Sequence, residues 1–217
     1  YQEQEYTVAT KTAPDDYVTS ADLASDAHIR KRLTELFPSD KIFSEEDKNR
    51  PTDFAGRVWI VDPLDGTASF VEREENFTVL IGLCEQGKPI LGVVCNPMTN
   101  EVYFAEKNKG AWVLKNNQKQ KISVSTVQKI GNAQVLIEKN KRSFASPLNP
   151  FIRGIRCKTF LTDGDGMAGN VFCCIASGKA ECRIHSSFRL CKWDTCGPQV
   201  ILDEAGGKMT DIDGNSL

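Results

Sequence analysis

The sequence has no apolar run long enough to span a bilayer and no basic-then-apolar leader at its start, so the expectation is a soluble, cytoplasmic chain without a membrane partner. It also lacks an excess of either charge. With 27 basic side chains against 29 acidic ones the net charge is −2, and wrapping of a nucleic-acid polymer or polybasic adhesion to lipid is not expected. Histidine is scarce, with 2 in 217 residues, and none of the 8 cysteines forms a Cys-x-x-Cys pair, which argues against a zinc cage. The cysteines fall mostly inside apolar segments and read as free buried thiols rather than disulfides. A chain of this length buries a core without staples. Beginning at Tyr1 and stopping just after a turn, it reads as part of a longer protein.

What is present is a stretch from Val58 to Phe70 in which an apolar run ends in two carboxylates, a glycine and a threonine. Val58, Trp59, Ile60 and Val61 suit a strand covered on both faces, and Pro63 is expected to stop the ladder beyond Asp62. Asp62 and Asp65 are three apart across a proline turn, and carboxylates that close repel unless a cation or proton lies between them. Hard oxygen ligands, with the carbonyl of Leu64 among them, suit Mg²⁺, which usually works with phosphate. Gly66 allows close backbone approach and Thr67 adds a hydroxyl. The competing reading is an ordinary Asx-Pro surface turn.

Around this stretch the chain alternates elements in an orderly way. Tyr1 to Pro14 is polar and undetermined, with Lys11 its one lead. Thr19-x-x-Asp22 resembles a capping box, and Ile29, Leu33, Leu36 and Phe37 recur at helical spacing as far as Pro38. Asp22 in the first turn is either a carboxylate favoured by the helix dipole or a functional group. Glu45, Glu46 and Asp47 read either as a solvated acidic loop or as a turn of which one acid joins Asp62 and Asp65 on a metal. From Phe77 to Leu114, short apolar runs separated by turns predict an antiparallel meander. A strand at 135–137 and an apolar helix over 168–177 closed by Gly178 follow. A last helix is expected with Asp194 as its N-cap, Pro198 in its first turn and Gly206-Gly207 at its end. Strands then helices, twice, indicate an α+β fold. Asp163 to Gly166 and Asp211 to Gly214 read as tight turns, not calcium loops.

Asp62-Pro63-Leu64-Asp65-Gly66-Thr67-x-x-Phe70 and Trp193-Asp194 followed by Glu204-Ala205-Gly206-Gly207, with Glu45-Glu46 and Val18-Thr19-x-x-Asp22 upstream, resemble the inositol monophosphatase-like, Mg²⁺-dependent and Li⁺-sensitive phosphatases. The resemblance implies a layered α-β-α-β-α sandwich, with an N-terminal half, 1–120, carrying most metal ligands and a second half, 121–217, completing the site. It makes Glu45, Asp62, the Leu64 carbonyl, Asp65 and Asp194 ligands of two or three Mg²⁺ ions, and Gly66 and Thr67 the phosphate holders. It also implies hydrolysis by metal-activated water, with Asp22 hydrogen-bonded to Thr67 and Glu45 nearby taking the proton. A rival phosphatase family with a nucleophilic first aspartate spaces its carboxylates two apart, which does not match Asp62 and Asp65.

The stretch from Arg183 to Lys192 contains no acid, where inositol monophosphatases resembling this chain carry a glutamate for sugar hydroxyls. It supplies Arg183, Arg189 and Lys192, cations able to pair with a second phosphate. The wording there, with Gly166 to Asn170 and Phe77-Thr78-Val79, resembles 3′(2′),5′-bisphosphate nucleotidases. The expected substrate is therefore 3′-phosphoadenosine 5′-phosphate. Ala68-Ser69 and Gly197-Pro198 depart from that pattern, and inositol phosphate or another small sugar phosphate is the alternative. A metal-binding regulator without turnover is the non-enzymatic alternative, and the resemblance leaves the oligomeric state open, a homodimer included.

Overall fold

The structure, a computed structural model, describes residues 6–11, 17–48, 50, 52–138, 159–163, 168–185 and 190–215. A seven-stranded sheet forms the frame, in the order β3 (Lys41–Ser44), β4 (Arg57–Asp65), β5 (Thr78–Glu85), β6 (Lys88–Asn96), β7 (Glu101–Glu106), β8 (Ala111–Lys115) and β9 (Gln118–Ile122). β3 runs parallel to β4, and every later neighbour pairs antiparallel, so the meander is present as expected. A short hairpin of β1 (Val8–Thr10) and β2 (Tyr17–Thr19) precedes helix α1 (Ser20–Leu36). Helix α2 (Thr67–Val71) follows β4 directly. The remainder holds a second, parallel sheet ordered β11 (Thr159–Asp163), β10 (Gln134–Glu138), β12 (Cys182–Ile184), with helices α3 (Ala168–Ala176) and α4 (Lys192–Glu204).

The alternation within β4 explains the layering. Trp59 and Val61 pack with Leu33 of α1 and Leu83, whereas Val58 and Ile60 pack with Phe43, Cys84 and Cys196 of α4. All four are buried, so each contributes about 1.5–3 kcal/mol and both faces of the strand are covered. The largest core joins Leu80, Val94 and Tyr103 of the sheet to Phe172 and Ala176 of α3 and to Val200 and Ile201 of α4. On its other side α3 uses Val171 to pack on Leu136 of β10. The described layers are thus α1, the large sheet, α3 with α4, and the small sheet, a mixed α+β sandwich.

Helix α4 approaches the large sheet at backbone range. A Cβ on Gly197 would lie 2.7 Å from the Ile81 carbonyl oxygen, and one on Gly92 would lie 2.0 Å from the Gly197 carbonyl oxygen. Only glycine fits there, which accounts for Gly197 in place of a larger small residue. Gly206, at φ +94°, and Gly207 close the helix with N–H bonds to Asp203 and Leu202 carbonyls, the left-handed glycine ending expected.

Several details depart from expectation. The sheet does not end at Asp62: the ladder with β5 breaks between Asp62 and Asp65 and resumes at Asp65 opposite Thr78, so Pro63 sits in a bulge where no N–H is needed. Asp194 is not the N-cap; Cys191 is, and Asp194 is the third helical residue, its carboxylate reaching back to the Cys191 N–H. Pro198 lies inside the helix, not in its first turn, and deprives the Asp194 carbonyl of its usual helical donor. Leu36 and Phe37 are 59% and 37% exposed, so the buried stripe of α1 stops at Leu33. The seven described cysteines are free thiols. Among the described residues no helix is long and apolar enough to cross a membrane.

Candidate active site and metal centre

The bulge in β4 turns Asp62 and Asp65 toward the start of α4. Carboxylate oxygens of Asp62, Asp65 and Asp194 all lie within 4.8 Å of one another. Asp62 is 2% exposed and Asp65 3%. Each is fixed by backbone donors. The Leu64 N–H donates to Asp62 Oδ1 at 3.0 Å. Asp65 sits at the N-terminus of α3, accepting from the Ala168 N–H at 3.1 Å, the Gly169 N–H at 2.8 Å and the Thr78 hydroxyl at 2.7 Å. A Cβ at Gly169 would lie 2.3 Å from Thr78 Oγ1, so a glycine is required for α3 to reach Asp65. Thr78, Ala168 and Gly169 were not singled out from the sequence as site residues, although Thr78 and the Ala168-Gly169 segment are part of the family-like wording.

Asp22 serves two partners. Its Oδ2 takes the Thr19 N–H at 2.8 Å in the capping box that starts α1, while its Oδ1 lies 3.1 Å from the Thr67 hydroxyl. The two oxygens face different ways, so capping α1 leaves Asp22 able to contact Thr67 as well. Thr67 follows Gly66, whose φ of +89° makes the sharp exit from β4. The same hydroxyl is 3.1 Å from the Leu64 carbonyl oxygen, and the Ser25 hydroxyl donates to the Pro63 carbonyl at 2.9 Å. Helix α1 thus holds the whole bulge.

The electrostatics of the cluster are unfavourable without a cation. Burial, then the charges of Glu45, Asp65 and Asp194, raises the Asp62 pKa well above the usual carboxylate value. Burial pushes Asp65 up to about 6 despite its three donors, and burial with the neighbouring Asp65 pushes Asp194 up to about 7. Glu45 reaches the cluster from the turn after β3, close enough for its charge to act on Asp62 and Asp194. Lys11 lies 2.9 Å from Glu45 and 2.5 Å from Glu46. Burial works against its ammonium, yet the two glutamates hold its pKa above the ordinary lysine value. Four converging carboxylates, three of them buried or nearly so and reluctant to ionise together, are the donor set a hard divalent ion satisfies. The residues present fit metal binding.

The substrate-side candidates are placed unevenly. Arg183 on β12 is close enough for its charge to act on Asp65 and Asp194. The Lys192 ammonium instead lies over the Phe54 ring, 4.6 Å from its centroid. Arg189 lies outside the described residues, as do Gly166 and Met167. Glu204, part of the family-like wording, is remote from the acids and binds the β7–β8 turn, accepting from the Asn108 and Gly110 N–H groups at 2.7 Å each.

A layered α+β frame that gathers acids from β4, α4 and the turn after β3 defines a candidate divalent-metal centre, of the kind that works on phosphate esters. The family model described as the inositol monophosphatase family matches residues 1–217. Among characterised relatives, inositol-1-monophosphatase of Bacillus subtilis is 32% identical over 212 residues, covering 96% of this chain and 77% of that protein. The 3′(2′),5′-bisphosphate nucleotidase CysQ of Salmonella typhimurium is 32% identical over 207 residues, 94% of this chain and 79% of that one. Histidinol-phosphatase of Mycobacterium tuberculosis is 33% identical over 208 residues, at 91% and 75% coverage. Of solved structures, an IMPase from Thermotoga maritima superposes with a TM-score of 0.83 at 28% identity, covering 97% of this chain and 78% of that one. The chain belongs to the inositol monophosphatase family. Relatives named for three different substrates stand at nearly the same identity, so overall similarity does not select among them.

Proposed function

We propose that this enzyme is a Mg²⁺-dependent phosphomonoesterase that removes the 3′-phosphate of 3′-phosphoadenosine 5′-phosphate. The observation that carries the chemistry is the meeting of Asp62, Asp65 and Asp194 within 4.8 Å beside Glu45. These four carboxylates and the Leu64 carbonyl would hold the two or three ions. Bound there, Mg²⁺ supplies Lewis-acid polarisation of the phosphate and a lowered pKa for the attacking water.

The chain's own residues then handle position and protons. Thr67 has one hydroxyl proton and two acceptors, Asp22 Oδ1 and the Leu64 oxygen, both at 3.1 Å. The carboxylate is the stronger acceptor of the two, so the hydroxyl proton is assigned to Asp22. Thr67 then turns a lone pair toward the attacking water, and Asp22 takes up the proton that the hydroxyl relays. Gly66 and Thr67, at the sharp exit from β4, would hold the phosphate. The three-residue spacing of Asp62 and Asp65 supports displacement by water over a covalent intermediate on the first aspartate.

Support for a bisphosphate substrate comes from the acid-free stretch before Trp193 and from Arg183, a cation beside the acid cluster able to pair with a second phosphate. The test is phosphate release from 3′-phosphoadenosine 5′-phosphate and from inositol 1-phosphate, side by side, with Asp62→Asn as control. A strong preference for the nucleotide, reduced by Arg183→Ala, is the expected result. Preference for the inositol ester would reassign the substrate, and release from neither would favour a regulator.

A further inference from the structure

Two of the proposed ligands come from separate parts of the fold, Glu45 from the turn after β3 and Asp194 from the start of α4. The Glu45 turn is anchored firmly on one side. The Ser44 hydroxyl donates to Asp26 Oδ1 at 2.6 Å, and Arg30 joins Asp26 at 2.8 Å to Asp47 at 2.6 Å, so α1 grips the residues flanking Glu45. Its other side meets α4 through Arg50. The guanidinium donates from Nε to the Ser44 carbonyl at 3.3 Å and from Nη2 to the Glu45 carbonyl. Its carbon lies 4.4 Å from the centroid of Trp193, the residue before Asp194. The indole in turn stacks on Phe43, with ring centroids 5.8 Å apart, one residue before Ser44.

We infer that Arg50 is a positioning residue: its planar group ties the Glu45 backbone to Trp193, so that Glu45 and Asp194 are presented to the same cation. This rests on the reading of Glu45 and Asp194 as metal ligands. The guanidinium suits the task because it uses edge donors on two successive carbonyls and its face on an indole at once. A lysine ammonium offers a point charge with no such plane, so Arg50→Lys does not replace it. Arg50 is exposed and carries none of the core, which separates its role from folding.

The test is Mn²⁺ binding by calorimetry on the wild type, Arg50→Ala, Arg50→Lys and Asp62→Asn, with the Mg²⁺ dependence of phosphate release measured on the same proteins. Both Arg50 variants are expected to raise the half-saturating metal concentration about 10- to 100-fold, the scale of lost support to a metal ligand. Turnover at saturating Mg²⁺ stays close to wild type, and so does the melting temperature in chelator. Trp193→Leu, which removes the other half of the contact, gives the same shift. Unchanged metal binding in Arg50→Ala, with Asp62→Asn impaired, overturns the inference and leaves the metal site standing. A drop in turnover and melting temperature with no change in half-saturation also overturns it, since that is a folding effect. Wild-type binding in Asp62→Asn removes the metal reading itself, and this inference with it.

Discussion

Helix α4 carries an acid at each end, both within the family-like wording, and their surroundings could hardly differ more. Asp194 at the N-terminal end faces Asp62 and Asp65 within 4.8 Å, with a pKa pushed up to about 7. Glu204 at the other end gives both oxygens to backbone N–H groups of the β7–β8 turn. One carboxylate is held among like charges, the other is satisfied by its own hydrogen bonds. A motif thus places one acid among like charges and gives the other a structural contact, and local electrostatics tells them apart.

The comparison breaks if the two ends respond alike. Asp194→Asn is expected to lower activity at fixed Mg²⁺ by about 100-fold or more, because it removes a ligand outright, while Glu204→Gln leaves kcat/KM within about twofold below its melting temperature. Phosphate release across a Mg²⁺ titration checks both. The pH dependence sharpens the contrast. Asp65 and Asp194 have folded pKa values raised to about 6 and 7, so the stability they contribute is full below the unfolded value of about 3.9 and is lost as pH rises through 6 to 7. The melting temperature of chelated protein therefore falls between about pH 4 and pH 7. Mg²⁺ suppresses that fall, and Asp194→Asn makes it shallower, whereas Glu204→Gln leaves its shape unchanged.

Smaller effects follow from how the helix is seated. Gly197→Ala drives a Cβ to 2.7 Å from the Ile81 carbonyl and lifts α4, costing about 1–3 kcal/mol in denaturant unfolding and weakening metal binding because Asp194 moves with the helix. Glu204→Ala, at the far end, costs about 1–2 kcal/mol through its two lost charge-assisted bonds and spares metal affinity. If Gly197→Ala left metal affinity untouched, the seating of α4 would not be what places Asp194.

Much of this was legible from residue order. The buried run Val58 to Val61, the meander and the capping box of Thr19 and Asp22 are local patterns, and local patterns survive into the fold. Others depend on partners distant in sequence. Gln118-Lys119-Gln120-Lys121-Ile122 forms β9 although four of its five residues are polar and exposed, because an edge strand needs little beyond the ladder of β8 and the one core contact of Ile122. Cys191 as a helix cap, and the resumed pairing of Asp65 with Thr78 beyond Pro63, carry no strong residue preference. In the site, the acids were visible as types at spacings, but the donors that hold Asp65 are backbone groups of Ala168 and Gly169, which no side chain advertises. Arg50 on Trp193 was hidden for the same reason, since the two meet only once α4 is seated.

The most direct test of the central claim, that the acids gathered at the start of α4 form a divalent-cation site, is a calorimetric Mn²⁺ titration of wild type, Asp194→Asn and Glu204→Gln under one buffer. The account predicts binding in the wild type, at least about tenfold weaker binding in Asp194→Asn, and wild-type affinity in Glu204→Gln. Equal affinity in all three proteins, or no binding in any, would contradict it.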